Sequence, residues 1–234
     1  MNETVTNKET LETQPAFPFK GVIFDMDGTL IESTEADYLA WKRLFAEHNQ
    51  ELSFEEYFPL IGMKSAVVVE TRLLLDGEKA KEALTKKMDY FSEIVSGSGI
   101  KTVPFATILL QQLKEHNVKL ALATSSRRPK MKMVLQLTEL LPFFDEIVTG
   151  DEVNNSKPAP DIFLKAAEKL YLSSHDCLVI EDAANGVKAA KNAGMKCVAI
   201  TTTHSADLLQ EADLVIDSFE ELDFEKLAEM LKKN

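Results

Sequence analysis

Two pairs of acidic residues follow short apolar runs of this sequence. Asp25 and Asp27 come directly after residues 21–24, and Glu181 and Asp182 follow a later run. Carboxylates at positions i and i+2 of an extended chain project to the same side, where they repel each other unless a positive charge compensates them. Oxygen ligands of this kind favour Mg²⁺, which retains several water molecules in such sites. The two pairs therefore predict a Mg²⁺ site formed by Asp25, Asp27, Glu181 and Asp182.

A hydroxyl group and a lysine accompany these acids. Thr124 follows another apolar run, and Lys157 precedes the turn-forming sequence Pro-Ala-Pro. Beside a metal, an ammonium and a hydroxyl could hold an anion. Attack of an ionised carboxylate on phosphorus, with a metal and a lysine absorbing the charge on the phosphoryl oxygens, would use this whole set. We therefore predict phosphoryl transfer. The alternatives for single features are helix capping by Glu181 and Asp182, and a solvated surface position for Lys157.

Six apolar runs position these residues, and most of them alternate with helix-like segments. The runs cover residues 21–24, 118–123, 146–148, 177–180, 196–200 and, more weakly, 214–216. Short continuous runs of this kind are typical of strands buried on both faces. Their alternation with helices predicts an α/β fold with a Rossmann-like parallel sheet and right-handed crossovers. Ligands bind at the carboxyl ends of such strands, where the acids, the hydroxyl group and the lysine are expected to meet.

The alternation of strands and helices breaks between residues 34 and 96, where the pattern is helical throughout. Ser33 is expected to cap the first of these helices. Because the break follows the first strand, we predict a small helical domain, residues 34–96, inserted into an α/β core of residues 19–33 and 97–234. The Ser-Gly-Ser-Gly sequence at 96–99 is expected to be a flexible hinge.

In this order, the motifs resemble those of the haloacid dehalogenase-like hydrolases. The resemblance rests on Asp-x-Asp-Gly-Thr at 25–29, the hydroxyl after the second strand, the lysine and the late Glu-Asp pair, and it covers Lys20 to about Ile216. The helical insertion resembles a type 1 cap. Ser-Lys-Pro-Ala-Pro-Asp-Ile-Phe (156–163) and Glu-Asp-Ala-Ala-Asn-Gly-Val (181–187) resemble the β-phosphoglucomutase and sugar-phosphate phosphatase branch.

The resemblance implies catalytic and metal-binding roles for the four acids. Asp25 would be the nucleophile that forms an aspartyl-phosphate. Asp27 would protonate the leaving oxygen and then act as the base for the acceptor. Asp25 and Asp182 would bind Mg²⁺ through their side chains, Asp27 through its backbone carbonyl, and Glu181 through the water molecules of the metal.

Substrate binding is implied for a second group of residues. Thr124 and Lys157, with Ser125 and Ser126 nearby, would hold the transferred phosphoryl group. Arg127 lies where relatives often carry a basic or polar residue that contacts the substrate, so we expect a substrate contact there as well.

Phosphatases and mutases of this branch share their site chemistry, so the cap must distinguish them. A β-phosphoglucomutase holds its second phosphate with an arginine, a lysine and a histidine from the cap region, near whose positions this chain has Ser65, Ser92 and Asp37. Lys64, one residue away, is expected to substitute partly for the arginine. Thr29 is more usual in phosphatases of the branch.

These features predict a Mg²⁺-dependent phosphatase acting on a small phosphorylated metabolite, a sugar or polyol phosphate. The alternative is a β-phosphoglucomutase that interconverts β-glucose 1-phosphate and glucose 6-phosphate. A further alternative, from another class, is a fold retained as a non-catalytic binding module, because a fold alone does not guarantee an activity.

The composition argues against several classes of partner. The 234 residues carry a formal net charge of −12 and no basic cluster that would attract nucleic acid or anionic lipid. Residues 1–18 lack the apolar core of a signal peptide, and no apolar run is long enough to cross a bilayer. Cys177 and Cys197 lack metal-ligand spacing and are expected to be reduced thiols. We expect a cytoplasmic monomer, with residues 1–18 as a flexible tail, that binds neither nucleic acid nor membranes.

Overall fold

A parallel β-sheet surrounded by helices forms the centre of the computed structural model, which describes residues 18–222, 224, 225 and 227. Residues 1–17 of the predicted tail lie outside this part of the chain. The strands are β1 (Gly21–Phe24), β2 (Lys119–Thr124), β3 (Glu146–Thr149), β4 (Cys177–Glu181), β5 (Lys196–Ile200) and β6 (Leu214–Ile216). The helices are α1 (Thr34–Glu47), α2 (Phe54–Tyr57), α3 (Ser65–Arg72), α4 (Gly77–Ser98), α5 (Ala106–Glu115), α6 (Arg128–Leu137), α7 (Asp161–Lys169) and α8 (Ala184–Asn192).

The strand order is β3-β2-β1-β4-β5-β6, and every pair of neighbours is parallel. This confirms the predicted α/β fold class, and all six apolar runs form strands. In the register of the sheet, Phe24 lies opposite Leu122 of β2 and Ile180 of β4. The residues that follow β1, β2 and β4 therefore emerge side by side at one edge of the sheet.

Burial on both faces explains why the strands are continuously apolar. Successive strand side chains point to opposite faces. Val22 and Phe24 belong to the core that includes side chains of α5 and α6, whereas Ile23 belongs to the core formed with α7 and α8. All three side chains are fully buried. Because helices cover both faces, the polar groups at the carboxyl ends of the strands rest on a rigid support.

Helices α1 to α4 form an insert between β1 and α5 with an apolar core of its own. Its buried side chains include Trp41, Leu44 and Phe45 of α1 and Val68 of α3. Helix α4, with 22 residues, packs along α1. Neither it nor any other helix in the described part of the chain combines the length and the apolar character needed to cross a membrane.

The predicted hinge at residues 96–99 is wrong in its local structure. Helix α4 continues through Ser98 and ends at Gly99, whose backbone N–H donates to the Val95 carbonyl over 2.8 Å. The buried Val95 side chain anchors this last turn. Packing therefore keeps a Ser-Gly sequence helical despite the low helix propensity of glycine.

Candidate active site

The ends of β2 and β4 and the segments that follow β1, β2 and β4 place the candidate site at the carboxyl edge of the sheet. The Asp25 backbone N–H donates to the Ile180 carbonyl over 3.0 Å, so Asp25 continues the pairing of β1 with β4. A cavity opens above it. The core residues that line this cavity include Asp25, Asp27, Thr124, Ser125, Ser126, Lys130, Glu181 and Asp182, and the insert contributes Asp37, Trp41, Tyr57, Met63, Ser65 and Val68.

Lys157 joins two carboxylates at the base of this site. Its Nζ lies 2.5 Å from Asp25 Oδ1 and 2.6 Å from Glu181 Oε1, and all three side chains are buried. Glu181 Oε2 accepts hydrogen bonds from the backbone N–H groups of Asp182 (2.7 Å) and Ala183 (2.8 Å). Both oxygens of Glu181 are thus engaged by the protein, and Lys157 is held beside Asp25 rather than in solvent.

The carboxylates outnumber the cations in this part of the site. Burial raises the pKa of Asp25 to about 7, because desolvation outweighs the attraction of Lys157 and the Glu181 charge adds to it. Burial likewise raises the pKa of Asp182 well above its ordinary value, with further contributions from Glu181 and Asp25. One lysine faces three carboxylates here, and a bound cation would relieve the imbalance.

The chemistry of the free oxygens fits a hydrated Mg²⁺ ion. Asp182 Oδ1 accepts the Thr29 hydroxyl at 2.8 Å, whereas Asp182 Oδ2 is buried and has no hydrogen-bond partner among the described residues. Lys157 engages only Oδ1 of Asp25. Over the described ranges, no three His, Cys, Asp or Glu side chains are grouped closely enough to form a complete metal cage. Two carboxylates with several waters would suit Mg²⁺, which dehydrates reluctantly.

Gly28 allows Asp182 to approach the loop after β1. Its φ is +88°, and a Cβ atom there would lie 2.1 Å from Asp182 Oδ2. Position 28 requires glycine because residues with a side chain disfavour a positive φ, and because there is no room for a methyl group.

Replacing Gly28 by alanine is expected to lower the free energy of unfolding by on the order of 2 to 4 kcal/mol, through backbone strain and overpacking together. Gly77 provides the matched control, because its φ is +52° but nothing lies within 4 Å of the position that an added methyl group would take. Gly77→Ala should cost only roughly 1 kcal/mol. Urea denaturation of both variants would measure the difference, and equal losses would contradict a steric role for Gly28.

Three donors surround the Asp27 carboxylate. Its Oδ1 accepts hydrogen bonds from the Ser33 hydroxyl (2.5 Å) and Lys130 Nζ (2.8 Å), and its Oδ2 accepts the Ser126 hydroxyl at 2.6 Å. Ser33 precedes α1 as predicted, but it makes no capping hydrogen bond because its side chain holds Asp27. Donors of the protein therefore hold both oxygens of the Asp27 carboxylate.

Thr124 and the serines after it lie beside the two aspartates. The Thr124 side-chain oxygen accepts the backbone N–H of Ser126 over 3.0 Å. This leaves the hydroxyl proton of Thr124 free to be donated to another acceptor. Ser125 lines the same cavity. The structure thus brings together the three predicted hydroxyl residues and both aspartates.

Lys64 and Arg127 do not lie where the predicted contacts with the substrate would require them. Lys64 Nζ donates to the backbone carbonyls of Val153 (2.5 Å) and Asn154 (3.1 Å), so it ties the insert to the core outside the cavity. Arg127 pairs with Asp151 at 3.0 Å, is about half exposed, and borders a neighbouring cavity. Backbone carbonyls hold the ammonium group of Lys64, and a surface carboxylate holds the guanidinium group of Arg127, so neither cation extends into the cavity.

Two buried lysines near the site were missed by sequence reasoning. Lys130 of α6 and Lys87 of α4 both contact Asp37 Oδ1, at 2.8 Å and 2.5 Å. Although burial favours the neutral acid, the two ammonium groups together hold the pKa of Asp37 well below its usual range. The insert thus supplies a buried cation, Lys87, close to the site, although Ser92 lies near the expected lysine position. Ser92 itself donates to the Met88 carbonyl within α4.

Comparison with known proteins decides the family. Residues 22–200, more than half of the chain, match the family model described as haloacid dehalogenase-like hydrolase. The chain belongs to the haloacid dehalogenase-like hydrolases. Members of this family are generally Mg²⁺-dependent, which agrees with the donor set of Asp25 and Asp182.

Relatives of this haloacid dehalogenase-like hydrolase include both phosphatases and a mutase. It is 31% identical to hexitol phosphatase A of Escherichia coli (strain K12), covering 87% of this chain and 93% of that one. It is 33% identical to β-phosphoglucomutase of Bacillus subtilis (strain 168), with coverage of 90% and 94%. The chain also spans 20% of the longer chloroplastic protein SUPPRESSOR OF QUENCHING 1 of Arabidopsis thaliana, at 36% identity.

Structural similarity extends over both the sheet and the helical insert. The crystal structure of β-phosphoglucomutase from Clostridium difficile matches with a TM-score of 0.84 and 25% sequence identity. The match covers 92% of this chain and 98% of that one. Because phosphatases and mutases resemble the chain to a similar extent, similarity alone does not choose between hydrolysis and isomerisation.

Proposed function

We propose that this protein is a Mg²⁺-dependent phosphatase that hydrolyses a small phosphorylated metabolite, a sugar or polyol phosphate, through an aspartyl-phosphate intermediate. One observation carries the proposal: a single cavity holds Asp25 in contact with Lys157 and, two residues later, Asp27 fixed by three donors. Two carboxylates in such different surroundings suit two different roles, one as the nucleophile and the other as the general acid and base. We also propose that the insert, residues 34–96, covers the cavity as a cap.

In the first step, a carboxylate oxygen of Asp25 attacks phosphorus. A bond forms between this oxygen and phosphorus, and the bond from phosphorus to the ester oxygen breaks. Asp27 transfers its proton to the departing oxygen, so an alcohol leaves and Asp27 becomes a carboxylate. Thr124 donates its hydroxyl proton to a phosphoryl oxygen, and the buried Lys157 ammonium stabilises negative charge nearby.

In the second step, water takes the place of the alcohol. The Asp27 carboxylate removes a proton from a water molecule, whose oxygen attacks the phosphorus of the aspartyl-phosphate. The bond between phosphorus and Asp25 breaks, which releases inorganic phosphate and regenerates the Asp25 carboxylate and the protonated Asp27. Ser33 and Ser126 keep the Asp27 side chain in one orientation through both steps.

The residues proposed to hold Mg²⁺ are Asp25 and Asp182 through carboxylate oxygens and Asp27 through its backbone carbonyl. When bound, the ion would reduce repulsion between the attacking carboxylate and the phosphoryl oxygens. Glu181 maintains the geometry beneath them, since it bridges Lys157 and the backbone of Asp182.

The deciding experiment measures phosphate release and isomerisation in parallel. Phosphate release from glucose 6-phosphate, fructose 6-phosphate, sorbitol 6-phosphate and glycerol 3-phosphate is followed with and without Mg²⁺. A coupled assay follows conversion of β-glucose 1-phosphate into glucose 6-phosphate with a bisphosphate primer. We expect Mg²⁺-dependent phosphate release from one or a few substrates and no isomerisation. Isomerisation with little phosphate release would establish the mutase instead.

A further inference from the structure

Two buried lysines and two partly buried aspartates, one of which is the proposed catalytic acid Asp27, connect the insert to the core. Asp37 of α1 accepts hydrogen bonds from Lys87 of α4 and Lys130 of α6, and Lys130 also contacts Asp27. We call Asp27, Asp37, Lys87 and Lys130 the charge quartet. The side chains of the two lysines are only 6% and 8% exposed, and that of Asp37 is 15% exposed. The Tyr57 hydroxyl donates to the second oxygen of Asp37 at 3.2 Å.

Once Asp27 has given up its proton in the first step, the charges within the quartet balance, with two ammonium groups and two carboxylates. Asp37 is essential to this balance, because the ammonium groups of both lysines donate hydrogen bonds to its Oδ1 atom. Lys130 lines the cavity above Asp25, and both lysines line the neighbouring cavity together with Ser65. Without the Asp37 charge, two buried ammonium groups would face this region, and among the described residues only Lys130 would keep a contact with a carboxylate, that of Asp27.

The remaining surroundings of the cavity also disfavour a second anion. Lys64 and Arg127, two other cations close to the site, are held by backbone carbonyls and by Asp151. The wall contributed by the insert is formed largely by aromatic and apolar side chains, among them Trp41 and Met63. Such a wall suits an uncharged organic group. An anionic group entering here would lie close to the Asp37 carboxylate, which Tyr57 and the lysines hold in place.

We propose that Asp37 makes the enzyme selective for phosphate monoesters whose leaving group carries no second anion, by occupying the two buried lysines that would otherwise bind one. This inference rests on the proposed phosphatase function and defines its substrate class. It also gives a structural reason for hydrolysis instead of mutase chemistry, because a mutase must hold a second phosphate while the first is transferred.

The test compares substrates that differ by one phosphate. Glucose 6-phosphate is paired with glucose 1,6-bisphosphate, and fructose 6-phosphate with fructose 1,6-bisphosphate. We expect kcat/KM of the wild type to be at least about tenfold higher for the monophosphate of a pair that it hydrolyses. In Asp37→Asn, which keeps the shape but removes the charge, this ratio should fall by about tenfold or more, mainly through a lower KM for the bisphosphate. Equal kcat/KM values in the wild type, or an unchanged ratio in the variant, would overturn the proposal.

Glu47→Gln serves as the matched control. Glu47 is another acid of α1 that pairs with a lysine of α4, but its partner Lys86 is more than half exposed. Its neutralisation should leave the ratio of monophosphate to bisphosphate unchanged. If Asp37→Asn does not fold, Asp37→Ser removes the same charge with a smaller side chain.

A binding measurement separates this inference from the proposed function. Calorimetric titration of Asp25→Asn and Asp25→Asn/Asp37→Asn with glucose 6-phosphate and glucose 1,6-bisphosphate requires no turnover. Tighter bisphosphate binding in the double variant, by about tenfold relative to the monophosphate, would support charge selection even if no substrate released phosphate. An unchanged ratio of dissociation constants would refute charge selection even in an active phosphatase.

Discussion

Asp25→Asn is expected to lower kcat by about a thousandfold or more, because an amide cannot attack phosphorus and form the acyl phosphate. The substitution preserves the side-chain volume at the end of β1. Acid quenching during turnover of a ³²P-labelled substrate should trap a labelled wild-type protein and an unlabelled variant. A variant that retains more than about a tenth of the wild-type rate would contradict the role of Asp25 as nucleophile.

The stability of Asp25→Asn distinguishes loss of chemistry from loss of fold. The pKa of Asp25 rises from 3.8 to about 7 on folding. The Asp25 carboxyl group therefore loses its proton at a lower pH in the unfolded state than in the folded state. As pH rises from about 4 to about 7, this difference lowers the free energy of unfolding of the metal-free protein. At pH 8, in the presence of a chelator, Asp25→Asn should be at least as stable as the wild type in urea denaturation.

Asp145→Asn is a control with the opposite sign for stability. Asp145 contacts Lys114 at 2.7 Å and the backbone N–H of Leu120 at 2.7 Å. Although partial burial favours the neutral acid, these contacts hold its pKa below the ordinary value. Its neutralisation should lower stability at pH 8 and leave kcat unchanged. A large stability loss in Asp25→Asn instead would mean that its inactivity reflects unfolding.

The strands and the location of the site could be predicted because local and topological rules fix them. A strand covered by helices on both faces must be apolar along its length, as Gly21–Phe24 is. In a parallel sheet, the residues after neighbouring strands share one edge, which places Asp25 beside Thr124 and Glu181. No knowledge of side-chain packing is needed for either inference.

The charge quartet could not be predicted, because it depends on contacts between distant parts of the sequence. Asp37 is 50 residues from Lys87 and 93 from Lys130. Lysines are seldom buried, so neither sequence position suggests an interior partner. Lys64 illustrates the converse: it lies near the predicted position, but the carbonyls of Val153 and Asn154 hold its ammonium group outside the cavity.

The second large effect is expected for Asp27→Asn, and its size should depend on the leaving group. An asparagine can accept hydrogen bonds from Ser33 and Lys130 and donate to Ser126, so the site should keep its shape. It cannot supply a proton to an alkoxide. We expect formation of the aspartyl-phosphate from a sugar phosphate to slow by about 10² to 10⁴-fold. Nitrophenolate needs no protonation, so its release from p-nitrophenyl phosphate should be affected much less.

Pre-steady-state kinetics would show the two roles of Asp27 separately. With p-nitrophenyl phosphate, Asp27→Asn should release about one equivalent of nitrophenolate per enzyme in a burst and then turn over slowly, since the base for the attacking water is also missing. With the sugar phosphate, no burst should occur. Asp145→Asn, which neutralises an acid that does not line the cavity, is the control and should retain its activity towards both substrates. Equal slowing of the first step for both leaving groups would exclude Asp27 as the general acid, since proton transfer to the leaving oxygen would then contribute nothing to that step.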